Sequence, residues 1–442
     1  MKDTDTIAAI STPLMTGAVG IVRISGAKSA KILDSRFHAF SGIRPPTYEP
    51  GKLYYGSFDA GEFSDRCLAV LFRAPKSYTG EDMAEIQCHG GVEVVRGVLK
   101  AVLSSGARLA SPGEFTRRAF LNGKQDLSSC EGIGDMIAAE SAAELAAAGR
   151  LARGDLAKAV SRMQDSLTDL ISEAEVLLDY PEEDLPEKRV SEFRAPLESL
   201  HAELCDLTAG YATGRKLKEG VTAVLCGRAN AGKSSLFNAL LAFDRAIVTD
   251  IPGTTRDTVD GMFECKGVKV RLVDTAGVRE AGDEIERQGI LRSLEELGNA
   301  DLAILVCDER GLSAEDETLL SRAKGETLLV RSKCDLGGEI PSGAFPVSAR
   351  TGENVEKLKS EIVARTIREI PSGLILTNER HYDALARAQG LAESALSGLE
   401  QKPFDALCLE LRELWDALGE ITGRTATEDI IDNIFKKFCL GK

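Results

Sequence analysis

Histidine is scarce in this chain, with four in 442 residues. His38, His89, His201 and His381 stand far apart, and none of the ten cysteines forms a Cys-x-x-Cys pair. That spacing argues against a zinc site and for reduced thiols, so a cytoplasmic location is expected. No apolar run approaches the roughly 20 residues of a bilayer span, so no membrane partner is expected. The opening Met1-Lys2-Asp3-Thr4-Asp5 does not read as a signal peptide. A basic excess is also missing: the net charge is −15 and the pI is about 5.0. Free-standing RNA binders are usually basic, so any nucleic-acid contact is expected to be local or shared with a partner. The hydrophobic content of 43% is ordinary for a soluble globular protein. The length accommodates about three domains.

What is present is a phosphate-binding pattern. Gly227-Arg228-Ala229-Asn230-Ala231-Gly232-Lys233-Ser234 reads G-x-x-x-x-G-K-S. The apolar run Val221 to Cys226 precedes it, and a helix-like Ser235 to Leu241 follows. Glycines let the backbone wrap phosphate oxygens, and amides at a helix start face the anion. Lys233 can reach the β- and γ-phosphates, and Ser234 can bind Mg²⁺.

Three later segments specify the nucleotide. Asp274-Thr275-Ala276-Gly277 ends an apolar strand 40 residues after Ser234. Its carboxylate can hold the Mg²⁺ shell, and its glycine amide can meet the γ-phosphate. Ser332-Lys333-Cys334-Asp335 follows the strand Thr327 to Arg331. The Asp335 carboxylate can accept two N–H donors from guanine, a pair that adenine lacks. Ser348-Ala349 then supplies a loop whose backbone amide can meet the guanine O6. The GTP-binding set is therefore Asn230, Ala231, Gly232, Lys233, Ser234, Ser235, Asp274, Thr275, Ala276, Gly277, Ser332, Lys333, Asp335, Ser348 and Ala349.

The catalytic apparatus is conspicuous by what is missing. Many small GTPases place Gln after D-x-x-G to orient water, but this chain has Val278. No arginine finger stands out. Glu280, Asp283, Glu284 and Glu286 are nearby acidic candidates, and spacing does not choose among them.

The remaining sequence frames this segment. Residues 1–121 read as a compact α/β unit, with strand-like Ala18 to Ser25, Cys67 to Phe72 and Ala84 to Cys88. Val92 to Leu103 has helical spacing there. Residues 122–217 read as long helices, with Met163, Leu167, Leu170, Ile171, Ala174 and Leu178 on one face. Residues 218–376 hold the nucleotide motifs. Residues 377–442 return to helix, with stripes Phe404, Leu407, Cys408, Leu411, Leu414, Trp415, Leu418 and Ile430, Ile431, Ile434, Phe435, Phe438. The predicted fold is multidomain: an N-terminal α/β domain, an all-α helical domain split in sequence, and an inserted α/β P-loop GTPase domain of Ras-like type.

The segment Gly220 to Pro371 resembles GTP-binding domains of the translation-factor-related class. Most of those carry Asn where this chain has Ser332. The whole chain resembles the MnmE (TrmE) family of tRNA-modification GTPases. The resemblance is carried by Gly253-Thr254-Thr255-Arg256-Asp257, Tyr78-Thr79-Gly80-Glu81-Asp82, Pro112-Gly113-Glu114-Phe115-Thr116, Arg118 to Lys124 and the tail Cys439-Leu440-Gly441-Lys442. The family tail is usually Cys-Ile-Gly-Lys, so Leu440 departs slightly.

This resemblance implies modification of C5 of the wobble uridine in tRNA, of carboxymethylaminomethyl or aminomethyl type. It implies an FAD-dependent partner, MnmG (GidA), in a heterotetramer or larger complex. A tetrahydrofolate, in 5-formyl or methylene form, supplies the one-carbon unit. The N-terminal domains are expected to form a homodimer and bind folate, through Arg23, Glu81, Lys124 and Lys442. The family's K⁺ activation implies a K⁺ site at Asn230, Thr249, Ile251 and Thr254, where an arginine finger would act. Thr249 and Thr254 join the GTP-binding set, Thr255 joins Ser234 as a Mg²⁺ ligand and a GTP contact, and Glu286 matches the catalytic acid that orients water. Two other functions share these motifs. One is a ribosome-assembly GTPase, which usually carries a second GTPase domain or a basic RNA-binding domain. The other is a folate-binding scaffold with a weakened GTPase, for which Ser332 is the sole support.

Overall fold

The computed structural model describes residues 5–179, 192–228, 230–242, 259–274, 295–309, 311–312, 316, 318, 321–367, 373–399, 401–439 and 441. The chain divides into two compact units. One comprises Met1–Gly134, Leu151–Val190 and Gly398–Lys442; the other comprises Asp135–Arg150 and Ser191–Ser397.

The first unit contains a seven-stranded sheet. Its strands are β1 (Ile7–Ile10), β2 (Val19–Ser25), β3 (Phe37–Ala39), β4 (Leu53–Asp59), β5 (Ser64–Phe72), β6 (Met83–His89) and β7 (Arg108–Leu109), in the order β3-β4-β5-β6-β2-β1-β7. All pairings are antiparallel except β1 with β7. Strand β4, unmarked in the sequence reading, buries Tyr54, Gly56 and Phe58 in strict alternation. Gly56 is required there, because a Cβ would lie 2.3 Å from the His38 carbonyl oxygen. Helices Ser29–Arg36 and Val92–Ser104 cover one sheet face, packing Ile32, Leu33, Val95, Val98 and Val102 against Val22, Ile24 and Ile86.

In the same unit, helix Asp155–Asp179 pairs with helix Phe404–Thr422. Leu156, Val160, Met163, Leu167, Leu170, Ala174 and Leu177 are buried, as are Leu407, Leu411, Leu414 and Leu418. The expected stripe holds through Ala174, but Leu177 takes the buried position and Leu178 is 38% exposed. A helix turns 3.6 residues per turn, so an i+3 step from Ala174 stays on the buried face and an i+4 step here faces out. Two polar contacts fix the pairing: Gln164 Nε2 donates to the Trp415 carbonyl at 3.1 Å, and Trp415 Nε1 donates to Thr168 Oγ1 at 3.1 Å. Helix Glu428–Lys436 docks Phe435 on Leu127 and Cys130, with Ile430, Ile431, Ile434 and Phe438 partly buried around it.

The second unit contains a six-stranded sheet. Its strands are β8 (Val221–Cys226), β9 (Val259–Cys265), β10 (Val268–Asp274), β11 (Leu302–Cys307), β12 (Glu326–Arg331) and β13 (Phe345–Pro346), ordered β13-β12-β11-β8-β10-β9. Only the β9–β10 hairpin is antiparallel. Every residue of β11 is buried, as expected for a parallel strand covered on both faces. Helices Lys233–Ala242 and Val355–Thr366 supply Leu236, Phe237, Leu240, Leu358 and Ile362 to one covering layer. This is the mostly parallel α/β sheet of a Ras-like GTPase domain. The parallel strands bring the ends of β8, β10, β11 and β12 to one edge, where ligands of open α/β sheets bind.

Within this unit the segments flanking the nucleotide sheet meet. Tyr211 and Tyr382 stack with ring centroids 4.1 Å apart, and a Cβ on Gly214 would lie 1.9 Å from the Leu376 carbonyl oxygen. Lys218 Nζ donates to Asp135 Oδ1 at 2.8 Å and also contacts Asn378. The chain therefore enters and leaves the nucleotide sheet side by side, as an inserted segment does.

Candidate functional site

The phosphate loop is shaped by backbone conformations that only certain residues adopt readily. Gly227 has φ 127°, and a Cβ on it would fall 2.4 Å from the Val306 carbonyl oxygen. Gly232 has φ 99°, and Asn230 sits in the left-handed region at φ 62°. The loop closes into helix Lys233–Ala242, whose first amides point toward it. Lys233 is buried and folds back over the loop, donating from Nζ to the carbonyls of Gly227 at 2.8 Å and Arg228 at 2.7 Å. Ser234 Oγ donates to Asp274 Oδ2 at 3.0 Å, joining the loop to the end of β10. A hydroxyl and a carboxylate held together this way form an oxygen donor set suited to Mg²⁺. Ser235 is exposed on the same first turn.

The base-selecting segment is bound to the phosphate loop. Ser332 is buried, with Oγ 2.5 Å from the Ala231 carbonyl oxygen and 3.1 Å from that of Cys307. Lys333, at φ 53°, donates from Nζ to the Asn230 carbonyl at 3.0 Å. Asp335 accepts from Ser348 Oγ at 2.6 Å and from Arg350 Nη2 at 2.6 Å. The Ser348 hydrogen bond, followed by Arg350, holds the Asp335 carboxyl below its ordinary range and therefore ionised. Ser348 is itself fixed by its amide bond to the Glu353 carbonyl and by accepting from the Thr351 amide. Ala349 follows Ser348 on this loop and is partly buried against the core.

Thus Asn230, Ala231, Lys233, Ser234 and Asp274 come together with Ser332, Lys333, Asp335 and Ser348 at one sheet edge. Thr249, Ile251, Thr254, Thr255, Thr275, Ala276, Gly277 and Glu286 lie outside the described residues, and so does Lys442.

The first unit holds a second cluster. A cleft of about 370 Å³ is lined by Phe72, Lys76, Ser77, Tyr78, Met83, Glu85 and Lys124. Arg23 pairs with Glu85, Nε to Oε1 at 2.8 Å, and its guanidinium lies over the rings of Tyr78 and Phe115. Lys124 donates to the Pro75 carbonyl at 3.0 Å. Gly80, next to Glu81, packs so closely on Lys124 that a Cβ would meet its Cγ at 3.2 Å. Arg23, Glu81 and Lys124 are therefore neighbours around one cleft. Glu85, Lys76 and Ser25 were not singled out from sequence. Glu85 stands directly across from Arg23 in the β2–β6 register, a pairing that spacing along the chain does not disclose. The C-terminal tail runs back to this unit. Cys439 is exposed, its carbonyl accepts from the Gly113 amide at 3.3 Å, and Ser11 Oγ donates to the Gly441 carbonyl at 3.3 Å.

Two family models match this chain: the GTP-binding protein TrmE N-terminus over residues 6–124, and the MnmE helical domain over residues 127–439. The chain belongs to the MnmE family. The tRNA modification GTPase MnmE of Clostridioides difficile (strain 630) is 40% identical over 455 residues, covering 99% of each chain. That of Syntrophus aciditrophicus (strain SB) is 42% identical over 459 residues, again covering 99% of each. Among solved structures, the G domain of the T. maritima FeoB iron transporter is 31% identical, covering 33% of this chain and 98% of that one at a TM-score of 0.26. As an MnmE-family member the chain is a GTP hydrolase. No helix among the described residues is long and apolar enough to cross a membrane.

Proposed function

We propose that this chain is a K⁺-activated GTPase that, with the FAD-dependent partner MnmG (GidA), modifies C5 of the wobble uridine of tRNA. The one-carbon unit comes from a tetrahydrofolate in 5-formyl or methylene form. The observation that carries the reading is the joined nucleotide edge: Asp335 is fixed by Ser348 and Arg350, and Ser332 ties its segment to the phosphate loop.

In this reading the loop amides and Lys233 bind the phosphates, and Asp335 selects guanine by accepting its two N–H donors. Ser234 and Thr255 hold Mg²⁺, with Asp274 in its outer shell. Glu286 orients the attacking water, in place of the glutamine that Val278 cannot replace. Asn230, Thr249, Ile251 and Thr254 hold K⁺, which neutralises charge developing between the phosphates as an arginine would. Two GTPase domains meet across their nucleotides, and residues 1–121 form the homodimer.

The N-terminal cleft fits a folate. Phe72, Tyr78 and Met83 offer apolar and aromatic walls for a flat ring system. Arg23, Lys76 and Lys124 offer cations for a carboxylated tail, with Lys442 as a further one. The carboxylate of Glu81 accepts ring-edge N–H donors. Domains at 122–217 and 377–442 link this cleft to the GTPase domain at 218–376, in the cytoplasm.

The test is nucleoside analysis of tRNA from cells lacking the chain and complemented with wild type or Lys233→Ala. Wild type restores the C5 modification and Lys233→Ala does not, with normal ribosome profiles in both. Intact modification with disturbed ribosome profiles would favour ribosome assembly instead.

A further inference from the structure

Helix Glu114–Leu121 places Glu114 and Arg118 one turn apart on one face, and both are buried. Arg118 is 3% exposed and sits among three carboxylates. Its Nη2 donates to Asp5 Oδ1 at 2.8 Å and to Glu114 Oε1 at 2.9 Å. Its Nη1 donates to Glu81 at 3.2 Å (Oε1) and 3.1 Å (Oε2). Arg108 also pairs with Asp5 and Glu114, binding Glu114 through both Nη atoms. Arg118 is the described cation that pairs with Glu81.

A hydroxyl chain braces the same carboxylate. Ser25 Oγ donates to Glu81 Oε2 at 2.8 Å, and Ser25 and Thr79 hydroxyls lie 2.7 Å apart. The one hydrogen of Ser25 is committed to Glu81, so Thr79 donates to Ser25. Thr79 in turn accepts from the Glu81 amide at 3.2 Å. Asn122 Nδ2 fixes the Thr79 carbonyl at 2.8 Å. Glu81 remains partly exposed, on the loop whose Lys76, Ser77 and Tyr78 line the cleft.

We propose that Arg118 is a positioning residue for ligand recognition, holding the Glu81 carboxylate in the orientation that accepts paired N–H donors from the edge of a pterin-type ring. This rests on the folate reading of the cleft. A carboxylate that must take two parallel donors gains selectivity only if its plane is fixed, and a buried guanidinium with a buried hydroxyl fixes it. Arg118 itself touches no ligand in this account.

The test is titration of the full chain with 5-formyltetrahydrofolate and with its 2-desamino analogue, which lacks one of the paired donors. Wild type, Arg118→Met, Arg118→Lys and Ser25→Ala are compared, with thermal unfolding as a fold control. Wild type is expected to prefer the amino compound by about tenfold or more, the worth of a hydrogen bond to a charged group. Arg118→Met loses most of that preference, Arg118→Lys keeps part of it, and Ser25→Ala reduces it while leaving the charge cluster intact. A purely structural role would weaken both compounds alike, so an undiminished preference in folded Arg118→Met and Ser25→Ala overturns the proposal. Failure of wild type to bind either compound refutes the folate reading itself, and the proposal falls with it.

Discussion

Ser332→Ala tests how the base-selecting segment is coupled to the phosphate loop. The Ser332 hydroxyl is buried between the carbonyls of Ala231 and Cys307, at 2.5 and 3.1 Å. Its single hydrogen serves the nearer one, in the phosphate loop. Alanine removes that donor and leaves a buried carbonyl short of a partner, which costs about 1–3 kcal/mol. Every 1.4 kcal/mol is about tenfold in an equilibrium constant, so the cost spans roughly 5- to 150-fold. The cost divides between the unit's stability and its nucleotide affinity, because the bond joins two halves of the nucleotide edge. The expected result is GTP and GDP binding weakened at least about fivefold, with a thermal midpoint lowered by a few degrees. Fluorescence titration with both nucleotides and a thermal melt measure the two parts. GTP binding within twofold of wild type, together with an unchanged melt, would refute the coupling.

Asp335→Asn replaces one carboxylate oxygen with an N–H donor. GTP affinity is expected to fall about 100-fold or more, while xanthosine triphosphate, whose C2 oxygen accepts that donor, binds better than to wild type; competition binding reads both. The Asp5 carboxyl is held low by its hydrogen bond from Arg108 and then by Arg118; burial would raise that of Glu114, but Arg108, the Ser111 amide and Arg118 outweigh it. Folded values below unfolded ones mean stability present above about pH 4 and lost as pH falls through the folded values. Glu114→Gln should therefore be less stable than wild type at pH 7, and that gap should narrow on acidification in denaturant titrations. A gap that stays constant or widens would contradict the ion-pair account.

Local signals in the sequence carried much of this architecture. Val221 to Cys226 was read as a strand at the bounds observed, because an apolar run followed by Gly227 leaves few alternatives. Val92–Ser104 was visible from its apolar period. Strand β4 was missed, since Leu53-Tyr54-Tyr55-Gly56-Ser57-Phe58 hides its alternation behind an outward Tyr55 and an inward glycine. Leu178 misled because periodicity alone does not say which of two adjacent leucines ends a stripe. At the nucleotide edge the motifs named the residues, but the Ser332 bond to Ala231 crosses 101 positions and has no local sign. The Arg23–Glu85 and Arg118–Glu81 pairs are likewise set by strand register and helix docking rather than by spacing.

GTP hydrolysis by the purified chain in KCl and in NaCl at equal ionic strength, with Glu286→Ala alongside, tests the central claim most directly. The account predicts strong stimulation by K⁺ that is lost in Glu286→Ala, because neither a glutamine at 278 nor an arginine finger is at hand. Equal slow rates in both salts, unaffected by the substitution, would contradict it.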